Sequence, residues 1–278
     1  MGITVDHLPF ACGELEATAA EFERLGLAPE YGGVHDNGCT HMSVLGFEDR
    51  SYIELIGERD RGDHDFWPEH IRADAGPAAW CVRVPDIVDE CHRYLDSGVP
   101  VSGPLYGSRE REDGTLVEWD RAEFGTPKRR LLFPFGIEDR TPLPYRVSPS
   151  PSVANGPLTG IGEVVLLGED PNAVIEALGA RYRWPEPVTA VVDGFGTVAS
   201  VPGVPVAAVG PETDWLADRL AQFPPGPCAC LLATADLDAA RATHPLGETR
   251  EWPGGHVAFF ESERFGQRLG VVERTGNP

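Results

Sequence analysis

Residues 3–27, ITVDHLPFACGELEATAAEFERLGL, change their hydrophobic period half-way. Over the first ten positions apolar side chains alternate, as in a strand with one buried face; from Glu14 onward they recur at helical spacing until Gly26 stops the run. THMSVLGF (40–47) and SYIELIG (51–57) then read as two strands joined by the polar turn EDR, and GGVHDNGC (32–39) can supply a further one, so the opening spells β-α-β-β. The order restarts with strand AAWCVRV (78–84), helix DIVDECHRYLDSG (86–98), and strands TLVEWDRAEF (115–124) and RRLLFPFGIE (129–138).

The second half repeats the pattern. IGEVVLLG (161–168) and DPNAVIEALGA (170–180) are strand and helix, followed by strands VTAVVDG, GTVASV and VPVAAVG; CACLLAT (228–234), DLDAARATH, GGHVAFFES and QRLGVVER make a fourth pass. Four units of one kind predict an α+β fold in which paired βαβββ modules curl their sheets around shared cavities. The proline- and serine-rich stretch after residue 143 has little periodicity, so the expected division is a first pair over 1–143, a linker over 144–157 and a second pair over 158–278.

The formal charge is −21, and of 23 basic residues Lys128 alone is lysine. That balance argues against a nucleic-acid partner; the single dense basic run, KRR at 128–130, adjoins an apolar stretch and reads as the flank of a strand. The apolar runs are far short of the roughly 20 residues that cross a bilayer, which gives the expectation of a cytoplasmic protein without a membrane partner. Six cysteines without a C-x-x-C pair read as reduced, half-buried small side chains. An acid-rich, lysine-poor surface fits a salt-rich cytoplasm, where cations screen self-repulsion. The melting temperature is therefore expected to rise between about 0.1 M and about 2 M KCl, as the Debye length falls from about 10 Å to under about 3 Å; a flat profile in a thermal-shift series would remove the halophile reading.

VDHLPFACGELEATAAEFERLGL, GGVHDNGCTHMSVLGFEDRSYIELIG, SREREDGTLVEW and FPFGIEDRTPLPYRV, in that order, resemble the glyoxalase-like domain of the vicinal oxygen chelate superfamily over roughly residues 3–180. The resemblance implies cupped eight-stranded sheets whose inner face holds a divalent metal (Mn, Fe, Ni or Zn) and a small-molecule substrate. It carries the metal ligands onto His7 of the first strand, Glu54 of the last strand of module one, and Glu138 in FGIED. The matching histidine position of module two falls on Ala79 or Trp80, which cannot ligate. The GGVHDNGCTHM run corresponds to a family stretch at the rim of the cup and gives His41, in preference to His35, as the catalytic or substrate-contacting histidine; a glycine-shaped turn with incidental histidines is the other reading. Glu163 occupies the histidine position of module three, Glu273 ends module four and His256 opens a late strand, so the second pair reads as degenerate, with a covering or subunit-contact role.

Three functions follow. One is a metal-dependent lyase, isomerase or dioxygenase using His7, Glu54 and Glu138, a nitrogen and two oxygens suited to a borderline divalent ion. Another, of the drug-sequestering bleomycin-resistance type, holds a ligand through Trp80, Arg111 and Trp119 without turnover. The last is a dimerisation scaffold, with a homodimer as the partner. Arg109 and Arg111 alternate in SREREDGTLVEW and can hold a carboxylate, although a surface hairpin turning at Asp113-Gly114 accounts for the same residues.

Overall fold

The computed structural model describes residues 3–111, 113–126 and 131–274. The KRR run and the start of RRLLFPFGIE lie outside the described residues. The first unit runs β1 (Thr4–Ala11), α1 (Leu15–Arg24), β2 (Glu30–Val34), β3 (Thr40–Gly46), β4 (Tyr52–Glu58), α2 (Pro68–Arg72), β5 (Gly76–Pro77), β6 (Cys81–Arg83), α3 (Ile87–Asp96), β7 (Val101–Glu110), β8 (Leu116–Phe124) and β9 (Phe135–Asp139). A short α4 (Leu143–Arg146) leads to β10 (Leu158–Leu167), α5 (Pro171–Tyr182), β11 (Val188–Val192), β12 (Gly196–Ser200), β13 (Val206–Val209), α6 (Asp214–Gln222), β14 (Gly226–Thr234), α7 (Leu237–Thr243), β15 (Arg250–Trp252), β16 (Gly255–Phe259) and β17 (Leu269–Glu273). The fold is α+β, with two curled sheets built on the same plan.

Strand order in the first sheet is β2-β3-β4-β1-β6-β9-β8-β7, with β5 added beside β1; in the second it is β11-β12-β13-β10-β14-β17-β16-β15. Each has two antiparallel-linked halves meeting at a central pair, β1 with β6 and β10 with β14. β7, which the glycines and proline of VSGPLYG obscure in sequence, closes the first sheet. Its Arg109 donates to the carbonyl of Gly32 on β2 at 3.1 Å, so the two edge strands of the cup are stitched to one another.

Side-chain alternation divides the sheet into two environments. Leu8 and Phe10 of β1, with Trp80 and Val82 on and beside β6, turn outward under α1 and α3 and are fully buried there. This outer layer is continuous with the second unit: Phe10 and Phe22 meet Phe265 at ring distances of 5.4 and 4.9 Å, and the Tyr94 and Tyr182 hydroxyls lie 2.9 Å apart. The connecting stretch is ordered against β3. Ser150 exchanges hydrogen bonds with both backbone groups of Gly46, whose lack of a side chain admits the Ser148 carbonyl.

The second cup is filled by its own side chains. Phe195, Trp252 and Phe259 are buried within it among Val165, Leu167 and Val198, with Phe195 packed on the other two rings at 5.4 Å. Glu163, fully buried on β10, accepts from Trp252 Nε1 at 2.6 Å and Ser200 Oγ at 2.9 Å and pairs with Arg274 at 3.1 Å. Burial pushes its carboxyl up, against the opposing pull of Arg274.

The second unit also fastens part of the first. Arg219 of α6 donates to the carbonyls of Ala75 and Pro77, and to Pro227 of its own unit. Arg268 donates to the Asp74 carbonyl at 2.8 Å, and His70 of α2 stacks on Phe223 at 4.2 Å. The clamped segment continues back into Phe66 and Trp67, which form a wall of the first cup.

Candidate functional site

A cavity of about 170 Å³ opens inside the first cup. Tyr52, Glu54 and Ile56 of β4 enter it from successive inward positions, as do Met42 and Val44 of β3, Phe135 and Ile137 of β9, and Trp119 and Arg121 of β8. His7 comes from β1, His35 from the loop between β2 and β3, and Arg109 from β7.

Hydrogen bonding sets the protons. The His7 Nδ1–H donates to Asp6 at 2.7 Å, and Asp6 also accepts from Arg83 at 2.8 Å and from both terminal nitrogens of Arg146 at 2.6 and 2.8 Å. Burial by itself would raise the Asp6 carboxyl; the charge and hydrogen bonds of Arg146, assisted by His7, hold it well below the usual carboxylate range. An acceptor-only carboxylate keeps a proton on His7 Nδ1, and Nε2 faces the cavity, 3.6 Å from Glu54 Oε2. The other Glu54 oxygen accepts from His35 Nε2 at 3.0 Å, and His35 Nδ1 lies 2.9 Å from the Thr40 hydroxyl. Burial opposes ionisation of Glu54, but the His35 hydrogen bond and the charges of His35, His7 and Arg109 take its carboxyl below the ordinary value.

Arg146 is 5% exposed and clasps Asp6 on one side and Asp139 on the other, with the Tyr52 hydroxyl at 3.1 Å. Despite the cost of burying it, Tyr52, Asp6 and Asp139 raise its affinity for its proton well above that of a free arginine. Arg109 differs. Its hydrogen bonds go to the carbonyls of Gly32 and Arg146, and among the described residues no carboxylate lies within ion-pair distance of it. Burial lowers its pKa, with Tyr52 and Glu54 acting in the opposite sense.

Of the residues nominated from sequence, His7, Glu54 and Trp119 line this cavity. Glu138 does not join them. It alternates with the inward Phe135 and Ile137, and its carboxylate accepts the backbone N–H of Ile87 at the start of α3 at 2.9 Å. Glu273 does the same for Leu237 at the start of α7, so this carboxylate belongs to the repeated architecture. His41 is out of phase with Met42 and Val44; it sits against Tyr31 outside the cup, where burial lowers its pKa. His35 is the histidine inside. Trp80 points into the outer layer and donates to the Leu132 carbonyl at 3.2 Å, leaving the adjacent Ala79 to face the cavity. Arg111 reaches the Tyr145 carbonyl along a groove outside the β2–β7 seam. His256 is on the surface of the second unit beside Glu273 and Glu251.

Two donor arrangements bear on a divalent ion. Asp6, His7 and Cys81 hold ligand atoms within 4.8 Å of one another, the three-residue cluster present among the described residues. Asp6 is occupied by two guanidiniums and an imidazole, and burial raises the Cys81 thiol well above its usual pKa, so this set offers a cation neither a free carboxylate nor a thiolate. On the cavity side His7 Nε2 faces Glu54 Oε2 and His35 Nε2 bonds Glu54 Oε1, while the inward positions before β6 and on β9 are Ala79, Phe135 and Ile137. Among the described residues His7, Glu54 and His35 do not gather their donor atoms within 4.8 Å of one another, as a set holding a catalytic ion would.

The comparisons agree with this architecture. The family model described as a glyoxalase-like domain matches residues 5–182. A hypothetical protein from Staphylococcus aureus superposes with a TM-score of 0.62 at 12% identity, covering 98% of this chain and 99% of its own. A variant of 4-hydroxymandelate synthase from Streptomyces coelicolor superposes at 0.60 with 11% identity, covering 100% and 94%. At such identities the likeness speaks to fold. No curated protein matches the chain in sequence. With the family model matching more than half of the chain and spanning both modules of the first cup, the chain belongs to the glyoxalase-like domain family.

Proposed function

We propose that the first cup holds a small, flat organic molecule and does so without a resident divalent ion, which makes the chain a ligand-binding member of its family. The observation that supports this reading most is the wall of the cavity: Tyr52, Phe66, Trp67, Tyr106, Trp119 and Phe135 surround an open volume, whereas the matching interior of the second cup is packed solid. Six cysteines without a disulfide suit a reducing cytoplasm for such a protein.

A metal-dependent lyase, isomerase or dioxygenase using Mn, Fe, Ni or Zn would need a third donor gathered with His7 and Glu54, and His35, the nearest, is engaged by Glu54 and Thr40. An enzyme that moves a proton with its own side chains is better supported, because His7, fixed by Asp6, presents Nε2 to the cavity 3.6 Å from the Glu54 carboxylate.

Titration calorimetry separates these readings. The neutral bicyclic amide 2-naphthamide is expected to bind the wild type and to bind Trp119→Ala roughly fivefold or more weakly, since ring contact contributes about 1 kcal/mol. Mn²⁺, Ni²⁺ and Zn²⁺ are expected to give no stoichiometric heat. Ion binding that disappears in His7→Ala would put the metal-dependent enzyme in place of the binding protein.

A further inference from the structure

We infer that the ligand of the first cup is an organic monoanion, an aromatic carboxylate whose charged end is received by Arg109. The inference rests on the binding reading above and adds to it the chemical class. Four arginines stand on or behind the cavity wall, and three have their charge answered within the protein. Arg83 pairs with Asp6, Arg146 with Asp6 and Asp139, and Arg121 with Glu123. Arg109 has two backbone carbonyls for partners, which accept hydrogen bonds but carry no net charge. A guanidinium has five N–H donors in a planar fork, so donors remain for a ligand carboxylate beside those that hold the seam between β2 and β7.

The surroundings select the same class. Glu54, the carboxylate nearest in effect to Arg109, is engaged by His35 and His7, so it does not supply the missing ion pair. The ring-lined wall suits the flat apolar part of such a molecule. In a chain of net charge −21 an anion has no general attraction to the surface, and a guanidinium bonded to backbone carbonyls alone is a local exception to the field around it.

The test compares 2-naphthoate with 2-naphthamide, which share the ring system and differ in charge, by calorimetry at fixed ionic strength. Wild type is expected to prefer the carboxylate roughly tenfold or more, as a charge-assisted fork implies. Arg109→Gln keeps donors for the Gly32 and Arg146 carbonyls but loses the charge, and is expected to bind the two probes within about twofold of each other; Arg109→Lys is expected to restore much of the preference, and Arg111→Gln to leave it unchanged. Circular dichroism establishes that each variant is folded. Equal affinity of wild type for the two probes, or a preference that survives Arg109→Gln, overturns the inference while leaving the cup as a binding site. Binding of neither probe to wild type removes the binding reading itself and the inference with it.

Discussion

Trp80→Ala is expected to cost about 3–5 kcal/mol and to lower the melting temperature by roughly 6–20 °C. Trp80 is fully buried in the layer between the first sheet and its helices, and truncation would leave a cavity there and an unpartnered Leu132 carbonyl. Its ring is one position out of phase with the cup, so the loss would appear in stability rather than in a selective loss of ligand. Trp119, half-buried and facing the cavity, is the contrasting case: its truncation is expected to weaken ligand binding at little cost to the fold. Differential scanning calorimetry on both variants decides the assignment. A Trp80→Ala protein that melts within about 2 °C of wild type would contradict the buried role.

Arg146→Met ranks next, with an expected loss of about 3 kcal/mol, or roughly 6–12 °C, because it leaves buried carboxylates without their principal counter-charge. Arg83 still reaches Asp6 at 2.8 Å, which keeps the effect at the lower end for a broken buried pair; Asp139 loses its bidentate partner. The pH dependence has a definite sign. Asp6 has a folded-state pKa held below its ordinary value, so its ion pair stabilises the protein above about pH 4, and that contribution is lost as pH falls through the folded value. Removing Arg146 raises the Asp6 pKa, and the acid-unfolding midpoint of the variant should move to higher pH. Unchanged acid unfolding, followed by circular dichroism from pH 7 to pH 2, would show that Arg146 does not hold the Asp6 carboxylate.

The repeating strand-helix order is written in hydrophobic periodicity, and Leu8, Phe10 and Cys12 set His7 on the opposite face of β1, after a register shift that separates it from the phase of Ile3 and Val5. Phase is harder to read than period. A strand displaced by one residue presents its other face, and three nominations failed in that way: Glu138 for the inward Ile137, Trp80 for Ala79, and His41 for a neighbour of Met42 and Val44. His35 could not be found by phase at all, since it reaches Glu54 from a loop. Arg146 is equally hidden in PLPYRV, where nothing local announces that it will meet Asp6, 140 residues away. One signal was available. Each even-numbered module carries an acidic residue at the end of its last strand and a helix opening with Asp-Ile or Asp-Leu, and that repetition marks Glu138 and Glu273 as one architectural device.

The arginine fork of α6 bears on what the linker separates. Arg219 is half-buried with carbonyl oxygens from both halves as its partners, and the desolvation of its guanidinium takes its pKa down to about 10. Cutting the chain between residues 144 and 157 would leave the Ala75 and Pro77 carbonyls facing water and release Phe66 and Trp67 from the support that sets their wall. The two cups bear the marks of duplication, yet one buried core runs through both, and the half whose cup is filled by its own side chains is the foundation on which the other half's cavity rests.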